Sequence, residues 1–164
     1  MIFVTVGTHE QPFDRLIWEL DRLKRKNIIK EKVIAQIGYC TYIPQEIEYQ
    51  KFFEYDKMLS NIKNARIVIT HGAPASFIMP LRVNKIPIVV PRRKKFNEHI
   101  NNHQVEFSLK VYQKYKNIIL VEKIDELKDA IENYDLRKSK LKSATNSNNT
   151  VFVNNFEKLI EQLF

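Results

Sequence analysis

Two short polar segments carry most of the chemistry that this sequence offers. The segment Thr70-His71-Gly72-Ala73-Pro74-Ala75-Ser76 follows a buried apolar run, and Asn101-Asn102-His103-Gln104 lies further along the chain. His71 could bond a phosphate or a sugar hydroxyl, or it could simply pack against the turn that Gly72 permits. The amides and imidazole of the second segment are the neutral donors and acceptors that discriminate sugar hydroxyls. These residue types favour a site for phosphate and sugar groups.

Three further polar groups are candidates for chemistry. His9 and Glu10 follow Gly7-Thr8, and either could act as a general base or orient one, although exposed loop residues would look the same in sequence. His99 and His103 lie four residues apart, a spacing that suits zinc on one face of a helix, but no third ligand of the right kind is evident. We therefore expect neither a metal nor a cofactor.

The elements that must position these residues are read from the apolar pattern. Short β-branched runs predict strands at 2–6, 33–37, 67–69, 86–90 and 118–121, and apolar residues at helical spacing predict helices at 13–26, 56–64, 77–83, 98–112 and 124–134. Asp56 and Asp125 are predicted to cap the helices that follow them. Residues 48–54 fit either a short strand or the start of a helix.

Alternating strands and helices predict an α/β fold, a Rossmann-like parallel sheet flanked by helices. Because ligands bind beyond the carboxyl ends of parallel strands, both polar segments should lie on the same rim. Gly7, Gly38 and Gly72 are the only glycines, and each follows a predicted strand. A tight turn explains any one of them, but together they suggest a rim where backbone approaches a ligand closely. The sequence has neither Gly-x-Gly-x-x-Gly nor a phosphate-loop lysine motif, which disfavours a dinucleotide dehydrogenase or an NTPase.

Length and composition indicate one domain with a distinct tail. Residues 1–138 form the predicted domain, 139–150 a polar connector and 151–164 an amphipathic helix that could pack on its own sheet or dock on a protein or membrane surface. No apolar run reaches the ~20 residues that span a bilayer, and neither a signal peptide nor an internal disulfide is expected, so we expect a cytoplasmic protein with a structural Cys40. The formal charge of +8 favours anionic partners, or reflects solvated lysine-rich helix faces.

The chain resembles the family 28 glycosyltransferase C-terminal domain in five stretches: Val4-Thr5-Val6-Gly7-Thr8, Phe13-Asp14-Arg15-Leu16-Ile17, Ile69-Thr70-His71-Gly72, Lys85-Ile86-Pro87-Ile88-Val89-Val90-Pro91 and Asn101-Asn102-His103-Gln104. Within that family it is most similar to the small donor-binding subunits of two-component transferases, in the bacterial capsule and exopolysaccharide branch that includes β-1,4-galactosyltransferases. The resemblance implies the C-terminal half of a GT-B enzyme that transfers a sugar from a UDP-sugar with inversion and without a metal. It also implies a lipid-linked saccharide acceptor and a membrane-associated acceptor-binding partner, which would recruit this chain to the inner membrane face.

The same resemblance implies the donor site. Gly72 to Ser76 would serve the diphosphate through a helix N-terminus and backbone amides, and Gln104 would bind sugar hydroxyls. Pro80 stands where many members carry a ribose-holding glutamate, and Glu98 is the candidate substitute. The full set of implied donor-binding residues is Gly7, Thr8, His71, Gly72, Ala73, Ser76, Glu98, Asn102, His103 and Gln104, with His9 and Glu10 as candidates for the catalytic base.

Two other functions compete with the enzyme interpretation. A non-catalytic stimulator or scaffold for a partner that transfers alone would need the terminal helix but not His71 or Gln104. A nucleic-acid-binding module would use the basic run Arg92-Arg93-Lys94-Lys95, but the aromatic residues are not interleaved with that run as a stacking platform requires. We therefore do not expect nucleic acid as a partner.

Overall fold

A single parallel sheet organises the protein. The computed structural model describes residues 1–145 together with Asn155 and Lys158. In this part of the chain, six parallel strands form one sheet in the order β3-β2-β1-β4-β5-β6. The strands are β1 (Ile2–Thr5), β2 (Val33–Gln36), β3 (Glu48–Gln50), β4 (Ile67–His71), β5 (Ile88–Val90) and β6 (Ile119–Leu120). The order reverses between β1 and β4, which makes their carboxyl ends the switch point of a doubly wound fold. The predicted fold class is confirmed.

Helices cover both faces of the sheet. They are α1 (Asp14–Arg25), α2 (Tyr55–Asn64), α3 (Pro74–Arg82), α4 (His103–Tyr115), α5 (Leu127–Glu132) and α6 (Tyr134–Thr145), with 3₁₀ turns at Lys94–Phe96 and Ile124–Glu126. All residues of β1 and β4 are buried, as expected for central strands covered on both sides. No helix among the described residues combines the length and the apolar character needed to cross a bilayer.

The core divides according to the two faces of the sheet. Ile2, Val4 and Ile69 belong to the larger cluster, which includes the buried face of α1. Phe3 and Val68, the alternate positions of the same strands, pack in a second cluster with Ile62 of α2. Alternation along a strand sends successive side chains to opposite faces, so these short apolar runs fill both layers.

Several predicted boundaries need correction. The helix predicted at 98–112 begins only at His103, because Lys94–Phe96 form a 3₁₀ turn that ends at Asn97 in the left-handed conformation, with φ 56°. The ambiguous segment at 48–54 contains β3, an exposed edge strand. Asp56 lies inside the first turn of α2, whose N-cap is Glu54.

The carboxyl-terminal part of the chain also differs from the prediction. The helix predicted at 124–134 is divided between a 3₁₀ turn that contains Asp125, α5 and the start of α6. The connector prediction is wrong for residues 139–145, which continue α6. Tyr134 at the start of α6 is buried and donates its hydroxyl to the Ile86 carbonyl at 2.8 Å, which fixes this helix to the domain. The rest of the predicted connector and the predicted terminal helix lie outside the described residues, apart from Asn155 and Lys158.

Candidate active site at the switch point

Gly7 and His71 lie against each other where β1 and β4 end. Gly7 has φ 77°, a conformation that L-residues rarely adopt, and a Cβ at this position would lie 2.4 Å from Cε1 of His71. The glycine therefore creates the space that the imidazole occupies. His71 is only 5% exposed, and its Nε2 lies 3.2 Å from Oγ of Ser76 in the first turn of α3. The ring is thus held between the turn after β1 and the start of a helix.

His71 is uncharged near neutral pH. The pKa of His71 is lowered to about 3, mainly by burial, with smaller contributions from the positive charge of Arg92 and from the neighbouring His9 and His99, while the Thr5 backbone opposes the shift. A neutral imidazole binds a ligand by accepting or donating a hydrogen bond rather than as a cation. At this position it can orient the Ser76 hydroxyl toward an anion.

Gln104 joins the ends of two strands. Its Oε1 accepts hydrogen bonds from the backbone N–H groups of Gly72 at 3.1 Å and Arg92 at 3.2 Å, and the residue is buried in the first turn of α4. A Cβ on Gly72 would lie 2.7 Å from Oγ of Ser108, so the turn after β4 packs directly on α4. The Nε2 group donates to no described residue, which leaves this amide nitrogen for a ligand.

The other residues of the asparagine-histidine segment line the rim. Asn102 and His103 are exposed at the start of α4. Asn102 Oδ1 accepts a hydrogen bond from the Lys94 N–H at 3.1 Å, and Asn101 Oδ1 accepts one from the His103 N–H at 3.0 Å. The His103 ring stacks on Phe107, with 6.1 Å between the ring centroids. These amides hold the loop and the helix start together, and His103 faces solvent.

Glu98 has a structural partner. It is 2% exposed, and its two carboxylate oxygens accept hydrogen bonds from Arg15 Nε at 2.7 Å and Nη2 at 2.9 Å. The Arg93 N–H donates to the same carboxylate at 2.9 Å. A buried carboxylate held in this bidentate pair is not available to a ribose, so we assign Glu98 to positioning the loop after β5. Pro80, where a glutamate was expected from the resemblance, is buried inside α3.

Arg92 is a central residue that sequence reasoning treated only as part of a basic run. It is 1% exposed and donates hydrogen bonds to the carbonyls of Val6 at 2.8 Å, Gln11 at 2.6 Å and Glu98 at 3.0 Å. Its guanidinium lies 5.0 Å from the centroid of the Phe13 ring. Burial lowers the pKa of Arg92, although its ordinary value is so high that the group stays charged. Arg92 therefore fastens the loop after β1 to the loop after β5 and brings a positive charge under the site.

Comparison with known proteins shows the family of the chain. The model of the glycosyltransferase family 28 C-terminal domain matches residues 1–163. The chain belongs to this family.

One known protein is similar to this chain in sequence, and one solved structure is similar in fold. Human UDP-N-acetylglucosamine transferase subunit ALG13 is 31% identical over 121 residues, which cover 68% of this chain and 10% of that protein. The chain therefore spans about a tenth of the length of that relative. The crystal structure of the glycotransferase of kitacinnamycin has 13% sequence identity and a TM-score of 0.57, covering 96% of this chain and 42% of that one. This second likeness supports the fold of one half of a GT-B glycosyltransferase.

The remaining predicted residues of this family 28 domain differ in how far they are buried. Thr8 and Glu10 are exposed in the loop after β1, and His9 between them is half-buried. Ala73 is the N-cap of α3, and no side-chain hydrogen bond caps this helix. The structure thus brings Gly7, His71, Gly72, Ser76 and Gln104 into one contact network, with Thr8, Glu10, Asn102 and His103 at its open margin.

Two other features of the rim are separate from this network. A cavity of about 460 Å³ lies between the loops after β5 and β6, and both basic and acidic side chains line it, including Arg93, Lys95 and Glu122. Cys40 is buried and its Sγ accepts a hydrogen bond from the Phe13 N–H at 3.4 Å. Burial raises the pKa of Cys40 to about 12, which keeps the thiol protonated. Within residues 1–145, no three metal-ligating side chains converge.

Proposed function

We propose that this chain is the donor-binding half of an inverting, metal-independent UDP-sugar glycosyltransferase. The observation that carries the proposal is the contact network at the switch point, where His71, the Gly72 turn and Gln104 lie together. Family membership supplies the reaction class, glycosyl transfer. Open α/β sheets bind ligands at such switch points, so the donor belongs here.

The start of α3 is the proposed diphosphate site. Ala73 leaves the first turn without a side-chain cap, Pro74 has no N–H, and the Ser76 N–H donates to the Ala73 carbonyl. The Ala75 N–H and the positive end of the helix dipole can therefore stabilise an anion. The Ser76 hydroxyl, 3.2 Å from the neutral His71 ring, adds an oriented donor. In the proposed mechanism these groups stabilise the leaving UDP as its bond to the anomeric carbon breaks.

The start of α4 is the proposed sugar site. Gln104 presents its free amide nitrogen, and the exposed Asn102 and His103 can bond hydroxyls at the margin. We expect a hexose donor, and β-1,4-galactosyl transfer to a lipid-linked saccharide in capsule or exopolysaccharide synthesis stays our prediction. The name of the human relative refers to UDP-N-acetylglucosamine, so this donor should be tested beside UDP-galactose.

The acceptor half and the base complete the proposal. The loop after β1 offers His9 and Glu10; Nε2 of His9 is buried without a described partner, whereas Glu10 is exposed, so Glu10 is the better placed to deprotonate an acceptor hydroxyl. We propose that a membrane-associated partner binds the acceptor and recruits this chain to the inner membrane face. The human relative is itself named as a subunit, which supports a partner.

A transfer assay tests this function. The purified chain, with and without its partner, is given radiolabelled UDP-galactose or UDP-N-acetylglucosamine and a lipid-linked acceptor, and donor binding is measured by calorimetry. We expect transfer with the partner present, unchanged by a chelator. Failure of transfer in both conditions, together with absent UDP-sugar binding, would refute the proposal. Full activity of a Gln104→Glu variant in the complex would instead favour a scaffold role.

A further inference from the structure

Two histidines from different loops lie against each other beside the proposed diphosphate site. His9 is in the loop after β1 and His99 in the loop after β5, and their ring centroids are 4.7 Å apart with the planes inclined by 56°. Both side chains are half-buried. The partner of His99 is therefore a residue distant in sequence, and not His103, which follows it by four residues.

Arg92 holds this histidine pair in place. Its Nη1 donates both to the Gln11 carbonyl, two residues after His9, and to the Glu98 carbonyl, directly before His99. The two loops are thus fastened on either side of the pair by a buried side chain. The two rings are in contact because the hydrogen bonds of Arg92 fix both loops.

Positive charge surrounds the pair more than negative charge does. Arg92 lies beneath it, and no carboxylate of a described residue accepts a hydrogen bond from that guanidinium. The Glu98 carboxylate is engaged by Arg15 of α1, which offsets both charges. His71 of β4 and His103 of α4 are the other titratable neighbours, and Glu10 is exposed in the same loop as His9.

These surroundings favour the neutral form of His99 in the free protein. Burial lowers the pKa of His99 first, followed by the neighbouring His9, with Arg92 and His103 adding to the effect and Asn101 opposing it. The Asn101 N–H donates to Nδ1 of His99 at 3.4 Å, which places the proton of the neutral ring on Nε2. A ligand with several negative charges would reverse this balance.

We propose that His99, paired with His9, binds the diphosphate of the donor and that the pair takes up one proton from solvent as the diphosphate binds. The inference rests on the proposed function and adds a residue that the donor-site prediction did not contain. The proton bonds to Nδ1 of His99, which gives up the hydrogen bond from the Asn101 N–H, and Nε2–H of His99 donates to the diphosphate. The site gains one positive charge, and the proton returns to solvent when UDP leaves. The resulting imidazolium stabilises the negative charge of the leaving UDP, in addition to the stabilisation from the start of α3.

Calorimetry in buffers of different ionisation enthalpy tests the inference. UDP is titrated into the full chain near neutral pH, and the dependence of the binding enthalpy on the buffer gives the number of protons taken up. We expect uptake approaching one proton for UDP and none for uridine, which lacks phosphate. His99→Gln should lose the uptake and weaken UDP binding about tenfold, the value of a hydrogen bond to a charged group. His9→Gln should also lose the uptake, whereas His103→Gln should keep it whatever its UDP affinity.

The possible outcomes separate the two proposals. UDP binding without proton uptake, or a folded His99→Gln variant that keeps both uptake and affinity, overturns the role of the pair and leaves the proposed function intact. Absent UDP binding by the wild-type chain overturns the donor site and the inference with it. Histidine NMR titrations with and without UDP provide a second readout, because the pKa of His99 should rise in the complex.

Discussion

Replacing Gly7 by alanine should disturb the site through one identifiable contact. The added Cβ would lie 2.4 Å from Cε1 and 2.7 Å from Nε2 of His71, closer than non-bonded atoms approach. His71 is buried, so its ring cannot swing freely aside. We expect the ring to be displaced from Ser76, with a loss of UDP affinity and of stability.

Two separable costs set the magnitude. An alanine held at φ 77° pays about 1–2 kcal/mol for a left-handed backbone conformation, whatever surrounds it. Overpacking against the imidazole adds about 1–3 kcal/mol. Only the second cost depends on His71, so Gly7→Ala should be milder in a His71→Ala background by about 1–3 kcal/mol of coupling energy.

A double-mutant cycle measures this coupling. The free energy of unfolding is obtained from urea denaturation for the wild type, both single variants and the double variant. Gly38→Ala is the matched control: it also has positive φ, 53°, but its Cβ would meet the Gly7 carbonyl oxygen at 2.8 Å, so His71→Ala should not relieve its cost. A coupling energy below about 0.5 kcal/mol between Gly7 and His71 would contradict the packing argument.

Three other predictions follow from the buried polar groups. Glu98→Leu should destabilise the fold by about 3 kcal/mol, because the partly buried Arg15 loses its carboxylate partner. Adding Arg15→Met to this variant should recover much of the lost free energy of unfolding in urea denaturation. If the effects of the two substitutions are additive, the prediction is wrong. Because the pKa of His71 is about 3 when folded and 6.5 ordinarily, the unfolded state binds the proton between these values. The contribution of His71 to the free energy of unfolding should therefore be fully present above pH 6.5 and be lost as the pH falls toward 3. His71→Gln should flatten the pH dependence of the urea midpoint, and an equally steep profile in this variant would refute the prediction. Gln104→Ala should lose both turnover and stability, because two buried N–H groups lose their acceptor. Gln104→Glu keeps an acceptor, so it should lose turnover with a smaller loss of stability. Equal free energies of unfolding for the two variants would show that the Oε1 contacts do not stabilise the fold.

Local patterns were sufficient to predict the architecture. The β-branched runs at 2–6 and 67–69 form the central strands, and the amphipathic stretch after Phe13 forms α1, because burial of an apolar face is encoded by the spacing of neighbouring residues. A parallel sheet then places all strand ends on one edge, so the proximity of His71 and Gln104 followed from strand directions alone. The glycine at position 7 was also informative, since its φ is one that other residues avoid.

Tertiary packing decided how the polar side chains are used. Nothing in the run of four basic residues distinguishes Arg92 from its neighbours, yet Arg92 is buried because the loops after β1 and β5 close over it. Glu98 was expected to be free for a ribose and instead pairs with Arg15, which is 83 residues away in sequence. His99 contacts His9 rather than acting with His103 on one helix face, because α4 begins only at His103. Apolar periodicity is a local property of the chain, whereas the partner of a charged or imidazole group is chosen by whichever distant loop the folded sheet brings within hydrogen-bonding distance.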